Sequence, residues 1–131
     1  MVAQSVSAER GAIAEDIAAD FMRLKGYTLV ARNYRCRRGE IDIIAKRDDM
    51  LVFVEVKMRQ ADAEGGSALE VVGPKKQQSI VKAALNFAAS QYGAGVTLRF
   101  DVIGLTWAEL ENSLEVVHLE NAFEPESRYY Y

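Results

Sequence analysis

The 131-residue sequence predicts an α/β domain in which a mixed sheet of about five strands is flanked by helices, in the order α-β-β-β-α-β-β. Two segments show the 3.6-residue periodicity of amphipathic helices, and five short segments show the apolar or alternating patterns of strands. Half of the residues are apolar and 27% are charged, which is the balance of a globular protein. We therefore expect one domain over residues 1–123 and a C-terminal tail over residues 124–131.

The first helix is predicted from Ser7 to Lys25, with Ser7 as its N-cap and Gly26 as its C-terminal stop. An apolar stripe at helical spacing predicts the face that packs on the sheet, and it consists of Ile13, Ile17, Phe21 and Leu24. Glu15 lies outside this stripe, on a strip of small and apolar side chains. We expect its carboxylate to be partly buried, and a buried charge needs a compensating partner or a function.

Three strands are predicted after this helix. Thr28–Arg35 forms the first, and Glu40–Arg47 and Met50–Met58 form a hairpin around the turn Asp48-Asp49. The segment Leu51–Val56 is apolar on both faces, which is typical of a strand buried on both sides. It is therefore expected at the centre of the sheet.

The second helix is predicted over Pro74–Tyr92, with its proline near the first turn and Gly93 at its end. Its inner face is predicted to consist of Ile80, Ala84, Phe87 and Ala88. Val96–Leu105 and Leu114–Leu119 are predicted to be the last two strands.

Two segments are predicted to lie outside the regular elements. Gln60–Gly73 is a polar loop in which Ser67-x-x-Glu70 could cap a short helical turn. Glu124–Tyr131 is expected to be a loose tail, whose three tyrosines either dock on a partner or fray.

The composition excludes several kinds of active site. One histidine, His118, excludes a multi-histidine metal site within one chain, and one cysteine, Cys36, excludes a cysteine-rich zinc site and an intrachain disulfide. His118 lies in a strand-like run, where a structural role is favoured over a catalytic one. No glycine-rich phosphate loop is present. Any chemistry is therefore expected to depend on carboxylates and lysines.

Other features of the chain indicate a cytoplasmic protein without a membrane segment. No apolar run approaches the roughly 20 residues that a membrane-spanning helix needs. The N-terminal residues lack the basic and apolar regions of a signal peptide, and a lone cysteine suits a reducing compartment.

Positive charge is concentrated in the middle of an acidic chain. The formal net charge is −3, but residues 23–59 contain ten Lys or Arg against five Asp or Glu. A local positive potential can guide a polyanion to a site on a protein of negative net charge. A solvated basic surface without a ligand is the alternative interpretation.

The hairpin is predicted to bring two carboxylates together. If it is symmetric about Asp48-Asp49, the numbers of directly opposed residues add up to 97, so Asp42 faces Glu55 and Glu40 faces Lys57. Opposed side chains lie about 5 Å apart on one face of the sheet. Two adjacent carboxylates repel each other and are costly to desolvate, and a hard divalent cation such as Mg²⁺ or Mn²⁺ would compensate. A solvated ion-pair patch at the strand end is the alternative.

Two motifs and their surroundings resemble the YraN family of small bacterial proteins. The motifs are Gly39-Glu40-Ile41-Asp42-Ile43-Ile44 and Leu51-Val52-Phe53-Val54-Glu55-Val56-Lys57-x-Arg59. The resemblance covers about residues 10–103 and includes Ala14-Glu15-Asp16-x-Ala18, Arg32-Asn33-Tyr34-Arg35, Lys76-Gln77 and Arg99-Phe100-Asp101-Val102. That family resembles the PD-(D/E)xK nucleases, in the branch of the archaeal Holliday-junction resolvases. The resemblance implies a restriction-endonuclease-like fold, although Ile41 stands where the superfamily has a proline.

The resemblance also implies the roles of four residues in a metal-dependent endonuclease that hydrolyses DNA phosphodiesters. Asp42 and Glu55 match the acidic metal ligands and, with the Val56 carbonyl, would hold one or two Mg²⁺ or Mn²⁺ ions. Lys57 matches the motif lysine and would position water or stabilise the transition state. Glu15 matches a helix glutamate and would be an outer ligand or would orient a metal-bound water. Glu40 and Asp101 lie in matching segments without an assigned role.

The expected partner is DNA. The basic residues expected to grip flanking phosphates are Arg35, Arg37, Arg38, Lys75 and Lys76. Tyr34 could stack on an unpaired base, although a packing role is favoured. The resolvase resemblance points to branched or single-stranded DNA and to a homodimer, since a four-way junction is nearly two-fold symmetric. A non-catalytic nucleic-acid-binding or adaptor module that retains the fold is the alternative function.

Overall fold

The computed structural model describes residues 2–61, 72–93 and 95–125, with the side chains of the first helix described from residue 9 onward. The elements are α1 (Val2–Leu24), β1 (Thr28–Cys36), β2 (Gly39–Arg47), β3 (Met50–Gln60), α2 (Pro74–Gln91), β4 (Thr97–Ala108) and β5 (Ser113–Leu119). The predicted order α-β-β-β-α-β-β is confirmed. The loop turn at Ser67–Glu70 and residues 126–131 of the tail lie outside the described residues.

The five strands form one mixed sheet in the order β1-β2-β3-β4-β5. Only β3 and β4 are parallel; every other neighbouring pair is antiparallel. Parallel neighbours need a crossover connection, and α2 lies within the connection from β3 to β4. The central position predicted for Leu51–Val56 is confirmed, because β3 is the middle strand.

Each face of the sheet is covered by one helix. On one face, α2 buries the predicted residues Ile80, Ala84, Phe87 and Ala88 together with Val81 and Ala83. Phe53 of β3 stacks on Phe100 of β4 there, at 5.5 Å between ring centroids. Tyr34 also packs on this face: its ring meets Phe87 edge-on at 5.1 Å, and its hydroxyl accepts a hydrogen bond from the Asn86 amide. The packing role favoured for Tyr34 is therefore observed.

The other face is covered by α1 in an orientation that the sequence analysis did not predict. Ile13 is 48% exposed and Leu24 is 88% exposed, so these two residues of the predicted stripe face solvent, whereas Ile17 and Phe21 are partly buried against the core. The buried residues of α1 are instead Ala14, Ala18, Ala19 and Met22. Small alanine side chains let the helix approach the sheet closely. The close packing gained in this way favours burying the alanine side of α1 over the side with the larger apolar residues. This orientation leaves the Glu15 side chain 23% exposed, as predicted.

The two ends of α1 differ in how well the sequence predicts them. Ser7 is not the N-cap, because the helix begins at Val2. The residues before Ser7 include no glycine or proline that would stop the helix. The stop at Gly26 is confirmed. Gly26 has a φ of 96°, its amide donates to the Arg23 carbonyl, and the Tyr27 amide donates to the Met22 carbonyl. These two bonds form a Schellman motif, in which glycine accommodates the positive φ. Within the described parts of the chain, neither helix is long and apolar enough to span a bilayer.

Replacing Gly39 with alanine is expected to lower the free energy of unfolding by about 1–3 kcal/mol. A Cβ atom at Gly39 would lie 2.6 Å from the Ser79 carbonyl oxygen, so β2 and α2 would have to separate. Gly11→Ala is the matched control, because a Cβ there meets nothing within 4 Å and alanine favours a helix interior. Urea denaturation followed by circular dichroism measures both. Equal stability of Gly39→Ala and the unsubstituted protein would contradict this account of the contact.

Candidate metal centre

The β2–β3 hairpin has the predicted register from its turn as far as the pair Ile43 and Val54, just before Asp42 and Glu55. Ala45 pairs with Val52 and Ile43 with Val54, and the ladder ends at this pair. The Val56 amide, which a continued ladder would pair with the Ile41 main chain, donates instead to Asp42 Oδ2 at 2.8 Å. The side chain of Asp42 thus takes the place of a main-chain acceptor where β2 and β3 stop pairing.

The alternation of β2 between the two faces of the sheet also breaks at Asp42. Ile43 packs in the cluster under α1, whereas Ile41 packs in the cluster under α2. Residues two apart in a regular strand share a face, so β2 is twisted at this point. On β1, Asn33 lies between the partners of these two isoleucines and has a φ of 52°. Asp42 therefore sits where the sheet opens, within reach of groups from both faces.

Glu55 is the second carboxylate of the site, and its environment disfavours a negative charge. Its side chain is only 13% exposed. Burial and, next, the negative charge of Asp42 raise the pKa of Glu55 from 4.5 to about 7. The effect of Asp42 on this pKa means that the two carboxylates lie near enough to interact electrostatically.

Asp42 is subject to opposing effects. Burial raises the pKa of Asp42, the hydrogen bond from the Val56 amide lowers it, and the negative charge of Glu15 raises it again. The net pKa lies above the ordinary value of 3.8. Glu15 of α1 therefore lies near this carboxylate, and its own Oε1 is 3.9 Å from the guanidinium of Arg32.

Two lysines approach the carboxylates. Lys76 Nζ, from the first turn of α2, is 3.8 Å from Glu55 Oε1. The charges of Lys76 and Lys57 both lower the pKa of Glu55, but they do not offset its burial. The sequence analysis placed Lys76 only among the phosphate-gripping residues. Its contact with Glu55 depends on the position of α2, which the pattern of one segment cannot predict.

The two carboxylates suit a metal ion that keeps several of its waters, such as Mg²⁺ or Mn²⁺. They are too few for a metal ion whose ligands all come from the protein. Over residues 9–61, 72–93 and 95–125, no group of three or more His, Cys, Asp or Glu side chains is placed to hold a metal ion. Mg²⁺ commonly takes one or two carboxylates and keeps several of its waters. Asp42 and Glu55 supply such a pair, and a cation between them would relieve the repulsion that raises the pKa of Glu55.

The other predicted residues lie around the α2 side of this site. Glu40 contributes to the raised pKa values of Asp42 and Glu55, and Arg35 lies 3.2 Å from Glu40. Arg37 and Arg38 lie in the exposed turn between β1 and β2. The Arg38 carbonyl accepts a hydrogen bond from Ser79 Oγ of α2, which holds this turn near the helix that bears Lys75 and Lys76.

Asp101 is not part of this carboxylate pair. It is buried on β4, where it accepts hydrogen bonds from Arg99, from His118 Nε2 at 2.7 Å and from the Asn121 amide. The second ring nitrogen of His118 accepts a hydrogen bond from Lys25 Nζ at 2.8 Å. The structural role favoured for His118 agrees with these contacts.

Comparison with known proteins identifies the family. The model of the Uncharacterised protein family UPF0102 matches residues 14–105, which include both motifs. A UPF0102 protein of Prosthecochloris aestuarii is 42% identical over 113 residues, which are 83% of this chain and 88% of the relative. Another, from Nitrosomonas europaea, is 39% identical over 120 residues, which are 92% of this chain and 98% of the relative. The chain belongs to the UPF0102 (YraN) family, as its motifs predict.

Proposed function

We propose that this protein is a metal-dependent endonuclease that hydrolyses DNA phosphodiesters at the end of the β2–β3 hairpin. The observation that supports it most is that Asp42 and Glu55 both lie just beyond the last pair of the ladder and interact electrostatically, with burial and the charge of Asp42 raising the pKa of Glu55 to about 7. A module that only bound nucleic acid would gain nothing from two carboxylates set close to phosphates. A perturbed carboxylate pair with nearby lysines is typical of a catalytic site.

Each residue of the site has a separate role in the proposed hydrolysis. Asp42 and Glu55 hold Mg²⁺ or Mn²⁺, and the Val56 amide fixes the orientation of the Asp42 carboxylate. A cation bound there supplies Lewis-acid chemistry, activating water and neutralising charge on the scissile phosphate. Lys57 stabilises the negative charge that develops in the transition state. Glu15 orients water on the α1 side, with the Val56 carbonyl as a further oxygen donor.

The basic residues beside the site give it affinity for a phosphate backbone. Arg37 and Arg38 are exposed in the β1–β2 turn, and Lys75 and Lys76 are exposed at the start of α2. Contacts of this kind position nucleic acid without reading its sequence. We propose that they hold the phosphates that flank the scissile bond, and that branched or single-stranded DNA is the substrate.

Replacing Asp42 with asparagine is expected to lower the rate of Mg²⁺-dependent cleavage by at least about 100-fold, equivalent to about 3 kcal/mol of transition-state stabilisation. Glu55→Gln and Lys57→Met are expected to lower the cleavage rate by at least the same factor. The assay uses purified protein with branched, nicked, single-stranded and duplex DNA, in Mg²⁺, in Mn²⁺ and in chelator. Asp48→Asn is the matched control, because Asp48 lies exposed in the same hairpin with a φ of 55° that asparagine also tolerates.

Cleavage that persists in chelator, or that survives in Asp42→Asn at the rate of Asp48→Asn, would contradict the proposal. DNA binding without cleavage in any metal, unchanged by all three substitutions, would instead establish the non-catalytic module.

A further inference from the structure

We propose that a groove on the α1 face of the sheet, at the ends of β3 and β4, binds one unpaired nucleobase, with Trp107 as the stacking surface. The groove has a volume of about 330 Å³. Its lining residues are Arg10, Gly11, Met58, Arg59, Gln60 and Trp107. This inference rests on the proposed nuclease function, because it assigns the part of the substrate that lies next to the cleavage site. Arg10 and Trp107 lie outside the segment that the family model matches.

Trp107 is held in a fixed position by the sheet. It pairs with Gln60 of β3 and with Leu114 of β5, and its carbonyl accepts a hydrogen bond from the Ala61 amide at 2.6 Å. Its side chain is partly exposed. A rigid aromatic face that is only partly covered is suited to stacking on a base, because little conformational entropy is lost on binding.

The Arg10 guanidinium already lies over this aromatic face, so a base that stacks there would displace the guanidinium from the ring toward the rim of the groove. The Arg10 guanidinium is 5.1 Å from the centroid of the Trp107 ring. Arg10 also lies 3.5 Å from Glu109 Oε1, and the Gln60 amide donates to Glu109 Oε2 at 3.2 Å. Glu109 therefore holds Arg10 at the rim, and a phosphate entering the groove would compete with this carboxylate. In such a groove the tryptophan can stack on a base and the arginine can attract its phosphate. The amide can form hydrogen bonds with the edge of the base.

The chemistry of the groove favours a single strand over a duplex. Bases in a duplex are stacked on one another and present only their edges in the grooves. Stacking on a side chain therefore requires a base that is unpaired and turned out of its helix. A groove of this volume lies at the lower end of the range for small-ligand sites, which suits one base.

The groove lies at a suitable distance from the metal centre. Met58 is three residues beyond Glu55 on β3, which corresponds to about 10 Å along the strand, and its side chain lies on the α1 face whereas Glu55 contacts Lys76 of α2 on the other face. Gly11 is four residues before Glu15 on α1, which corresponds to about 6 Å. About three stacked nucleotides span 10 Å, so a strand cleaved at the centre would reach Trp107 by passing around the open end of the β2–β3 ladder to the α1 face.

The test uses the intrinsic fluorescence of Trp107, which is the only tryptophan in the chain. Short single-stranded oligonucleotides are titrated into the 131-residue protein in chelator, so that no cleavage occurs. We expect saturable quenching by the single strand and at least about tenfold weaker binding of a duplex of the same length. Anisotropy of labelled oligonucleotides then compares variants whose folding is first checked by circular dichroism.

We expect Trp107→Leu and Arg10→Gln each to weaken single-strand binding by about tenfold or more, and Trp107→Phe to retain affinity within about threefold. Arg23→Gln is the control, because Arg23 is an exposed arginine at the opposite end of α1. Absence of quenching, equal quenching by duplex, or unchanged affinity in Trp107→Leu would overturn the proposal; capture of a protein instead of nucleic acid would do the same. Quenching without cleavage in any metal would support the groove while contradicting the nuclease function.

Discussion

Replacing Asp101 with asparagine is expected to lower the free energy of unfolding by about 3–5 kcal/mol, because it leaves the largely buried guanidinium of Arg99 without its counter-charge. The Asp101 side chain is fully buried, and the Arg99 side chain is 15% exposed, with their charged atoms 2.7 Å apart. Burial alone would raise the pKa of Asp101, but hydrogen bonds from His118, Arg99 and the Asn121 amide outweigh it and hold the pKa below its ordinary value. Asparagine removes the negative charge and turns an NH₂ group toward these donors.

Asp20→Asn is the matched control for this substitution. Asp20 lies 2.9 Å from Arg23 on α1, but its side chain is 71% exposed, so its loss is expected to change stability by less than about 1 kcal/mol. Urea denaturation at pH 7 measures both variants. A loss of less than 1 kcal/mol in Asp101→Asn would show that the network contributes little to the fold.

Replacing Glu55 with glutamine is expected to stabilise the metal-free protein at pH 8 by up to about 3 kcal/mol. The pKa of Glu55 rises from 4.5 to about 7 in the folded state, so the folded protein binds this proton more tightly than the unfolded chain. The resulting contribution to stability is fully present below pH 4.5 and is lost as the pH rises through 7. Glutamine is neutral at every pH and retains the contribution at pH 8.

Melting temperatures between pH 4.5 and 8.5, with and without Mg²⁺, test this prediction. Above pH 7, Mg²⁺ is expected to raise the melting temperature of the unsubstituted protein and to have much less effect on Glu55→Gln, since a ligand stabilises only the state that binds it. Glu115→Gln, at an exposed position on β5, is expected to behave like the unsubstituted protein. A melting temperature of Glu55→Gln at pH 8 equal to or below that of the unsubstituted protein would contradict the account of this carboxylate.

The sequence was sufficient to predict the order of elements, the central strand and the register of the β2–β3 hairpin. These predictions succeed because they depend on local patterns: a two-residue turn sets the register of its hairpin, and a run that is apolar on both faces belongs inside a sheet. The ladder confirms that register from Arg47 and Met50 as far as Ile43 and Val54.

Features that depend on packing between distant segments were not predictable in this way. The inner face of α1 follows its alanines instead of Ile13 and Leu24, because close approach to the sheet decides which side is buried. The break in alternation at Asp42 coincides with the positive φ of Asn33 on the neighbouring strand. The partners of Asp101 come from β4, β5 and the residues after β5, so no spacing within one motif could reveal them.

The groove at Trp107 could not be predicted from sequence spacing either. Arg10 and Trp107 are 97 positions apart in the chain, and only the packing of α1 beside the end of β4 brings them together. The proximity of Glu15 to Asp42 has the same cause. In that case the resemblance to a family with a helix glutamate supplied what periodicity could not.

The central claim is that Asp42 and Glu55 jointly hold one divalent cation. A crystal structure grown with Mn²⁺ tests it most directly, through the anomalous scattering of the metal. The account predicts a peak at about 2.1 Å from a carboxylate oxygen of each residue, and its absence in crystals of Asp42→Asn. A peak bound by only one of the two carboxylates, or no peak between them at saturating Mn²⁺, would contradict the account.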